Sequence, residues 1–246
     1  LVIWPETSVT WLPEENNDKL INILTKIKTP LILGALRVDR KKKEIFNSSF
    51  LIDKNGQIVS IYDKSHLVPF GEYFPFSRFL GSINFFGKHK LLRKGFSSGN
   101  GLKVIDEISI PPFVTLICYE SLFSNEIIDK IKDAKLLVNI TNDAWFGKKG
   151  GPKQHLAIAR MRALENNLPL VRVANTGISA IINKFGKVTK YIPIDKRGFI
   201  DVKVNREDII QHSSYNKLGK NISSYLLLLS LISIVMHYLI LRKRFN

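Results

Sequence analysis

Apolar residues recur along this chain in two rhythms, and the switches between them mark out its elements. Leu1-Val2-Ile3-Trp4 is a short apolar strand that stops at Pro5. Behind Pro13-Glu14-Glu15, the spacing of Leu20, Ile21, Leu24 and Ile27 is that of one helix face. Residues 31–38 are again strand-like, and 44–53 and 58–64 form a hairpin with Asn55-Gly56 as its turn signal. A second round starts with the apolar run 113–120. It continues through a helix from about Asn125 to Lys132, a buried strand over 135–141, a helix from about Pro152 to Asn166, and strands over 168–175 and 177–183. Phe185-Gly186 and Arg197-Gly198 punctuate further short strands to about Val204. Sheet and helix patterns alternating in this way predict one layered α/β domain over 1–218, with helices covering sheets. No repeat of fixed period interrupts it.

Two stretches break the rhythm. Leu67 to Asn100 carries seven Phe, one Tyr and seven Gly or Pro breakers, too long and too aromatic for a plain connection. Long loops of this kind are usually lids or binding loops, and rings such as Phe70, Phe74 and Phe76 need apolar cover from substrate, membrane or the domain itself. Ile222 to Leu241 has no Asp, Glu, Lys or Arg, and twenty such residues can span a bilayer. Its twelve Leu, Ile and Val outweigh four Ser and one His on an insertion scale. Arg242, Lys243 and Arg244 follow within a basic tail over 242–246, which places that end in the cytoplasm and the domain on the other side.

Charge changes the picture little. The net charge of +16 fits an anionic membrane surface, and the scattered Lys residues show no zinc-finger, RNP-type or basic-zipper pattern, so no nucleic acid is expected. The five His are too dispersed for a metal site and no Gly-rich phosphate loop is present, so neither metal nor cofactor is expected. The chain opens at Leu1 inside a strand, which reads as a piece of a longer protein.

Cys118 is the single cysteine, so it is either a small core residue or a reactive thiol. A reactive thiol needs a base and a cation. Glu6 follows the first strand, Lys64 ends the hairpin, and Glu72 lies eight residues on. A carboxylate, an ammonium and a thiol, each at the carboxyl end of a predicted strand, match the parts list for acyl transfer through a thioester.

These motifs, Trp4-Pro5-Glu6, the stretch from Asp63 to Tyr73 and Cys118-Tyr119-Glu120, resemble the Glu-Lys-Cys triad of the nitrilase, or carbon-nitrogen hydrolase, superfamily. The stretches 139–147 and 151–182, with the apolar run at 222–241, narrow the resemblance to the bacterial apolipoprotein N-acyltransferase family. That family's N-terminal bundle of membrane helices is not in this sequence. The resemblance implies an α-β-β-α sandwich followed by one transmembrane helix, in an inner-membrane enzyme that needs no cofactor. It implies that Glu6 is the general base, Cys118 the nucleophile, and Lys64 with the Tyr119 N–H the oxyanion donors. The acyl donor would be a phospholipid and the acceptor the amine of a diacylglyceryl apolipoprotein. Glu72 would hold Lys64, and Tyr119 and Glu120 would line the nucleophile turn.

Asn142, Asp143, Trp145 and Phe146 follow a buried strand and could wall the cleft, although an Asn-Asp pair there is more often turn chemistry. His155 and Arg162 share a helix face and read first as packing and surface charge. Three functions stay open: the membrane-anchored acyltransferase, a water-using amidase with the same three residues, and an inactive remnant.

Overall fold

The structure is a computed structural model that describes residues 1–75, 95–107, 110–131, 133–203 and 214–244. Two sheets carry it. The first has the order β1-β2-β3-β4, built from Val2–Ile3, Leu31–Asp39, Glu44–Ile52 and Ile58–Asp63. Here β1 is parallel to β2, and β3 and β4 continue antiparallel. The second sheet has the order β5-β6-β7-β8-β9, built from Phe113–Ile117, Leu136–Asn142, Leu170–Asn175, Ser179–Ile182 and Val188–Ile192. Its first three strands are parallel and its last two antiparallel.

Strand alternation sorts the side chains into layers. Leu31, Leu33 and Ala35 of β2 and Phe50 and Ile52 of β3 meet Leu20 and Leu24 of helix α1 (Asn17–Ile27) on the outer face. Their neighbours Ile32 and Leu51 point the opposite way and join Tyr62 and the β5–β7 residues between the sheets. Ile127 of α2 (Ser124–Lys130) and Ala159 and Ala163 of α3 (Gly151–Asn166) cover the second sheet. The α-β-β-α layering expected from the resemblance is therefore present. Most strands of the two sheets are covered on both faces, which is why they read as largely apolar runs, whereas the edge strand β9 is exposed over Thr189, Lys190 and Tyr191.

Two expectations are revised, and a third finds no support among the described residues. The run 113–120 is not all strand: β5 stops at Ile117, and a 3₁₀ turn, η2, spans Cys118–Leu122. No strand follows β9 within the described residues to 203. Residues 214–244 form one helix, α4, but no helix among the described residues is long and apolar enough to cross a membrane. Side chains of α4 are described only within 221–238, where Ser224, Ser230, Ser233 and His237 dilute the apolar run. Within that stretch Leu226, Leu227, Leu228, Leu229, Leu231 and Ile234 are all exposed.

Candidate active site

Three strand ends converge on one buried cluster. Glu6 follows β1 where the chain passes over Gly34 of β2. A Cβ at Gly34 would lie 2.3 Å from the Pro5 carbonyl oxygen and 2.7 Å from the Glu6 Cα, so only glycine lets that turn sit this close. Lys64 follows β4, tied by its N–H to the Asn47 carbonyl at 2.8 Å. Cys118 follows β5. Glu6, Lys64 and Glu72 are buried, and so is the thiol.

The Lys64 Nζ lies 2.7 Å from Glu72 Oε1 and 3.8 Å from Glu6 Oε1, with its side chain 1% exposed. Asn47 Nδ2 bridges the same two carboxylates, donating to Glu6 at 2.6 Å and to Glu72 at 3.2 Å. The Val68 N–H donates to the other Glu72 oxygen at 2.8 Å. Burial pushes the Glu6 carboxyl above its ordinary value, with the Lys64 charge and the Asn47 hydrogen bond opposing it. Burial pulls the Lys64 ammonium down, but Glu6 and Glu72 outweigh it and hold it above its usual value. The Cys118 thiol is pushed up to about 11 by burial and by the Glu6 charge, against Lys64, a Thr141 hydrogen bond and the Asn142 backbone. At about pH 7 the resting group is thus the thiol, with roughly one molecule in 10⁴ as thiolate. A base must act as attack occurs.

The nucleophile turn is held from two sides. Cys118 has φ +51°, a left-handed conformation that costs a non-glycine residue roughly 1 to 2 kcal/mol. On one side Glu120, fully buried, accepts at Oε1 from the Tyr62 hydroxyl (2.6 Å), the Ser65 N–H (2.7 Å) and hydroxyl (3.0 Å) and the His66 N–H (3.2 Å), and at Oε2 from the Ile117 N–H (2.8 Å). Burial pushes its carboxyl up while these donors pull the other way. Glu120 so fastens the turn to the segment after β4 that carries Lys64. On the other side stands a buried polar network. His155 Nδ1 lies 2.8 Å from Asp143 Oδ1, and His155 Nε2 lies 3.1 Å from the Cys118 carbonyl and 3.0 Å from Ser121 Oγ. Arg172 Nη2 donates to both Asp143 oxygens, at 3.0 and 2.7 Å, and Arg172 Nη1 donates to Asn139. Burial raises the Asp143 carboxyl, but the His155 hydrogen bond and the Arg172 charge win and hold it low.

The remaining sequence candidates spread around this cluster. Tyr119 packs edge-to-face on Phe123, whose ring stacks on His66. Asn142 shows both readings: its side chain accepts from the Ala144 N–H and the Thr176 hydroxyl as turn chemistry, while its backbone reaches Glu6 and Cys118. Trp145 is 75% exposed, Phe70 is exposed with φ +63°, and Phe74 meets Phe70 edge-to-face at 6.4 Å. Phe76 lies outside the described residues, as does most of the 67–100 loop. The described ends of that loop are stitched together by Phe96 N–H to Glu72 O and Gly99 N–H to Lys64 O. His155 and Arg162 are both buried, so the surface-charge reading of Arg162 gives way. Sequence reasoning missed Asn47, Asn139 and Arg172, whose only signal is an amide or a charge inside an apolar strand. Among the described residues no group of three or more His, Cys, Asp or Glu is placed to hold a metal ion.

Comparisons with known proteins follow this geometry. The family model described as "Carbon-nitrogen hydrolase" matches residues 1–212. The chain is 40% identical over 210 residues to a protein of Rhizobium rhizogenes named "Apolipoprotein N-acyltransferase", covering 82% of this chain and 39% of that protein. It is 36% identical over 251 residues to the protein of that name from Rhodopseudomonas palustris, covering 99% and 45%. The chain thus spans less than half the length of the curated relatives it matches. Among solved structures, Saccharomyces cerevisiae Nit3, a member of branch 10 of the nitrilase superfamily, superposes with TM-score 0.57 at 20% identity, covering 80% of this chain and 65% of that one. An amidase from Nesterenkonia sp. AN1, whose active-site cysteine carries an acrylamide adduct, superposes with TM-score 0.55 at 16% identity, covering 78% and 75%. These two likenesses speak to the fold.

Proposed function

This chain belongs to the carbon-nitrogen hydrolase family, and from that premise we propose that it carries the catalytic machinery of a membrane-anchored N-acyltransferase. The enzyme moves a fatty acyl chain from a phospholipid, through a thioester on Cys118, to the N-terminal amine of a diacylglyceryl-cysteine lipoprotein. The observation that carries this reading is the buried Lys64 ammonium, held between Glu6 and Glu72 and electrically coupled to the Cys118 thiol. Relatives named for this activity match up to 99% of the chain and support the choice of substrate.

In the first half-reaction the Glu6 carboxylate takes the thiol proton as Sγ attacks the ester carbonyl carbon. The carbonyl π electrons move to oxygen, and Lys64 Nζ and the Tyr119 N–H stabilise that oxyanion. Collapse breaks the ester C–O bond, and Glu6 returns its proton to the departing lysophospholipid oxygen. Burial works in favour of this exchange by raising Glu6 above its ordinary value. In the second half-reaction the lipoprotein amine attacks the thioester, Glu6 accepts a proton from the amine, and collapse releases the thiolate, which Glu6 reprotonates. Glu72 holds Lys64 at the oxyanion position and takes no proton.

Anchoring is part of the same proposal. The run 222–241 lies in the membrane with its basic end in the cytoplasm, supported by its lack of acidic or Lys/Arg side chains and by the exposure of Leu226 to Leu229. The catalytic domain then stands on the periplasmic side. Reporter fusions after Asn246 and within Lys217–Lys220 should give opposite compartment signals, and identical signals would remove the anchor from the proposal.

The chemistry is tested by separating transfer from hydrolysis. In detergent with phosphatidylethanolamine, an acyl-enzyme accumulates without acceptor and discharges when a diacylglyceryl-cysteine peptide with a free amine is added. Rapid release of free fatty acid in the absence of acceptor, or comparable turnover of small soluble amides, would favour a hydrolytic amidase instead.

A further inference from the structure

We propose that His155 is a positioning residue that donates from Nε2 to the Cys118 carbonyl, pinning the 118–119 peptide and polarising its N–H toward the oxyanion. This rests on the reading of Cys118 as the acyl-accepting nucleophile. The Cys118 carbonyl and the Tyr119 N–H are the two ends of one peptide unit. A hydrogen bond to the carbonyl withdraws charge through the amide and makes the N–H at the other end a stronger donor.

Which ring nitrogen carries hydrogen follows from the atoms that face it. Nε2 points at the Cys118 carbonyl at 3.1 Å and at Ser121 Oγ at 3.0 Å. A carbonyl oxygen only accepts, so a bare Nε2 would set two lone pairs against each other at that distance. The Ser121 hydroxyl has one proton, already directed to the same carbonyl at 3.1 Å. Nε2 therefore carries hydrogen. Nδ1 lies 2.8 Å from Asp143 Oδ1 and 3.2 Å from Arg172 Nη2, contacts that fix the orientation of the ring.

The ring is held by several elements at once. The groups facing it are Asp143 and Phe146 from the turn after β6, Arg172 from β7, and Ser121 with the Cys118 carbonyl from η2. The same hydrogen bond helps hold Cys118 in its left-handed conformation, φ +51°.

Two measurements on the full chain test this. In histidine-¹⁵N-labelled protein, the ring signals that vanish in His155→Gln should show Nε2 protonated, and a ring with a bare Nε2 would overturn the proposal. Acylation of Cys118 by phosphatidylethanolamine is then timed alongside alkylation of the same thiol by iodoacetamide, which needs no oxyanion donor. His155→Leu should slow acylation about tenfold or more, short of the roughly 10²- to 10³-fold of losing an oxyanion donor outright, with alkylation almost unchanged. His155→Gln, whose amide N–H can donate to the carbonyl from a less rigid side chain, should fall between wild type and His155→Leu, and it carries the comparison alone if the Leu variant fails to fold. Unchanged acylation in the variants, or equal losses of acylation and alkylation, would overturn the proposal by leaving His155 either idle or merely structural. A wild-type protein that takes up no acyl group would sink the acyltransferase reading instead, and the ring signals would still decide whether Nε2 donates.

Discussion

Replacing Lys64 by Met tests the centre of the site, because it removes the one cation between two buried carboxylates. At an effective dielectric of about 20, unit charges at the Lys64–Glu6 separation attract by about 4 kcal/mol and at the Lys64–Glu72 separation by about 6 kcal/mol. Most of that gross attraction offsets the cost of burying the ammonium, so the net destabilisation expected is about 3 to 5 kcal/mol near neutral pH. The loss should depend on pH with a definite sign. Without Lys64, the Glu6 carboxyl, already above its ordinary value of 4.5, rises further, because burial and the neighbouring Glu72 charge are then opposed only by the Asn47 and Asn142 hydrogen bonds. A carboxyl raised in the folded state contributes stability that is full below its unfolded value and is lost as pH rises through its folded value. Lys64→Met should therefore cost much less at about pH 4 than at about pH 7. Urea unfolding followed by tryptophan fluorescence at both pH values measures the difference. Adding Glu72→Gln to Lys64→Met should recover part of the loss at about pH 7, since a carboxamide needs no cation. A destabilisation that is the same at both pH values, or below about 0.5 kcal/mol, would refute the reasoning.

Gly34→Ala should cost about 1 to 3 kcal/mol of stability and reduce acylation more than that loss explains, because its Cβ collides with the Pro5 carbonyl and displaces Glu6; paired urea and acylation measurements decide. Asp143 is held below its ordinary 3.8 by His155 and Arg172 against burial, so its contribution is present above 3.8 and lost as pH falls through the lower folded value. Wild type and Asp143→Asn should accordingly differ most at neutral pH and converge in acid, as read by thermal unfolding across pH. Replacing both Phe70 and Phe74 by Ala should weaken binding to phosphatidylethanolamine vesicles in a flotation assay while shifting folding stability by no more than about 0.5 kcal/mol, since Phe70 is exposed.

The layered fold is legible in the sequence because most strands of each sheet are covered on both sides, and such strands read as apolar runs bounded by turn residues. Glu6, Lys64 and Cys118 are legible for a related reason: each is a chemically capable residue placed just where an apolar run stops. The second half of the site is not marked by a boundary. Asn47 and Asn139 lie inside strands β3 and β6, and Arg172 lies inside β7. Periodicity cannot say which partner such a residue meets, but a polar group in a strand buried on both faces must be paired. Asn47 serves Glu6 and Glu72, and Asn139 serves Arg172 and the Leu116 carbonyl. His155 reads as helix packing because it shares a face of its 16-residue helix with Arg162, and its polar partners come from η2, the turn after β6 and β7, which helix spacing does not reveal. The end of β5 at Ile117 was blurred for a local reason. Tyr119 has high strand propensity, and the turn at Cys118 is fastened through Glu120 by Tyr62, Ser65 and His66, residues remote in sequence that no local pattern reveals.

The most direct measurement of the central claim is mass spectrometry of the intact and protease-digested chain after incubation with a phosphatidylethanolamine of defined acyl chains. The account predicts a single added acyl mass, located on the peptide containing Cys118, released by neutral hydroxylamine as a thioester is, and absent from Cys118→Ala. An acyl adduct that survives Cys118→Ala, or a folded wild-type chain that stays unmodified in the presence of the lipid, would contradict it.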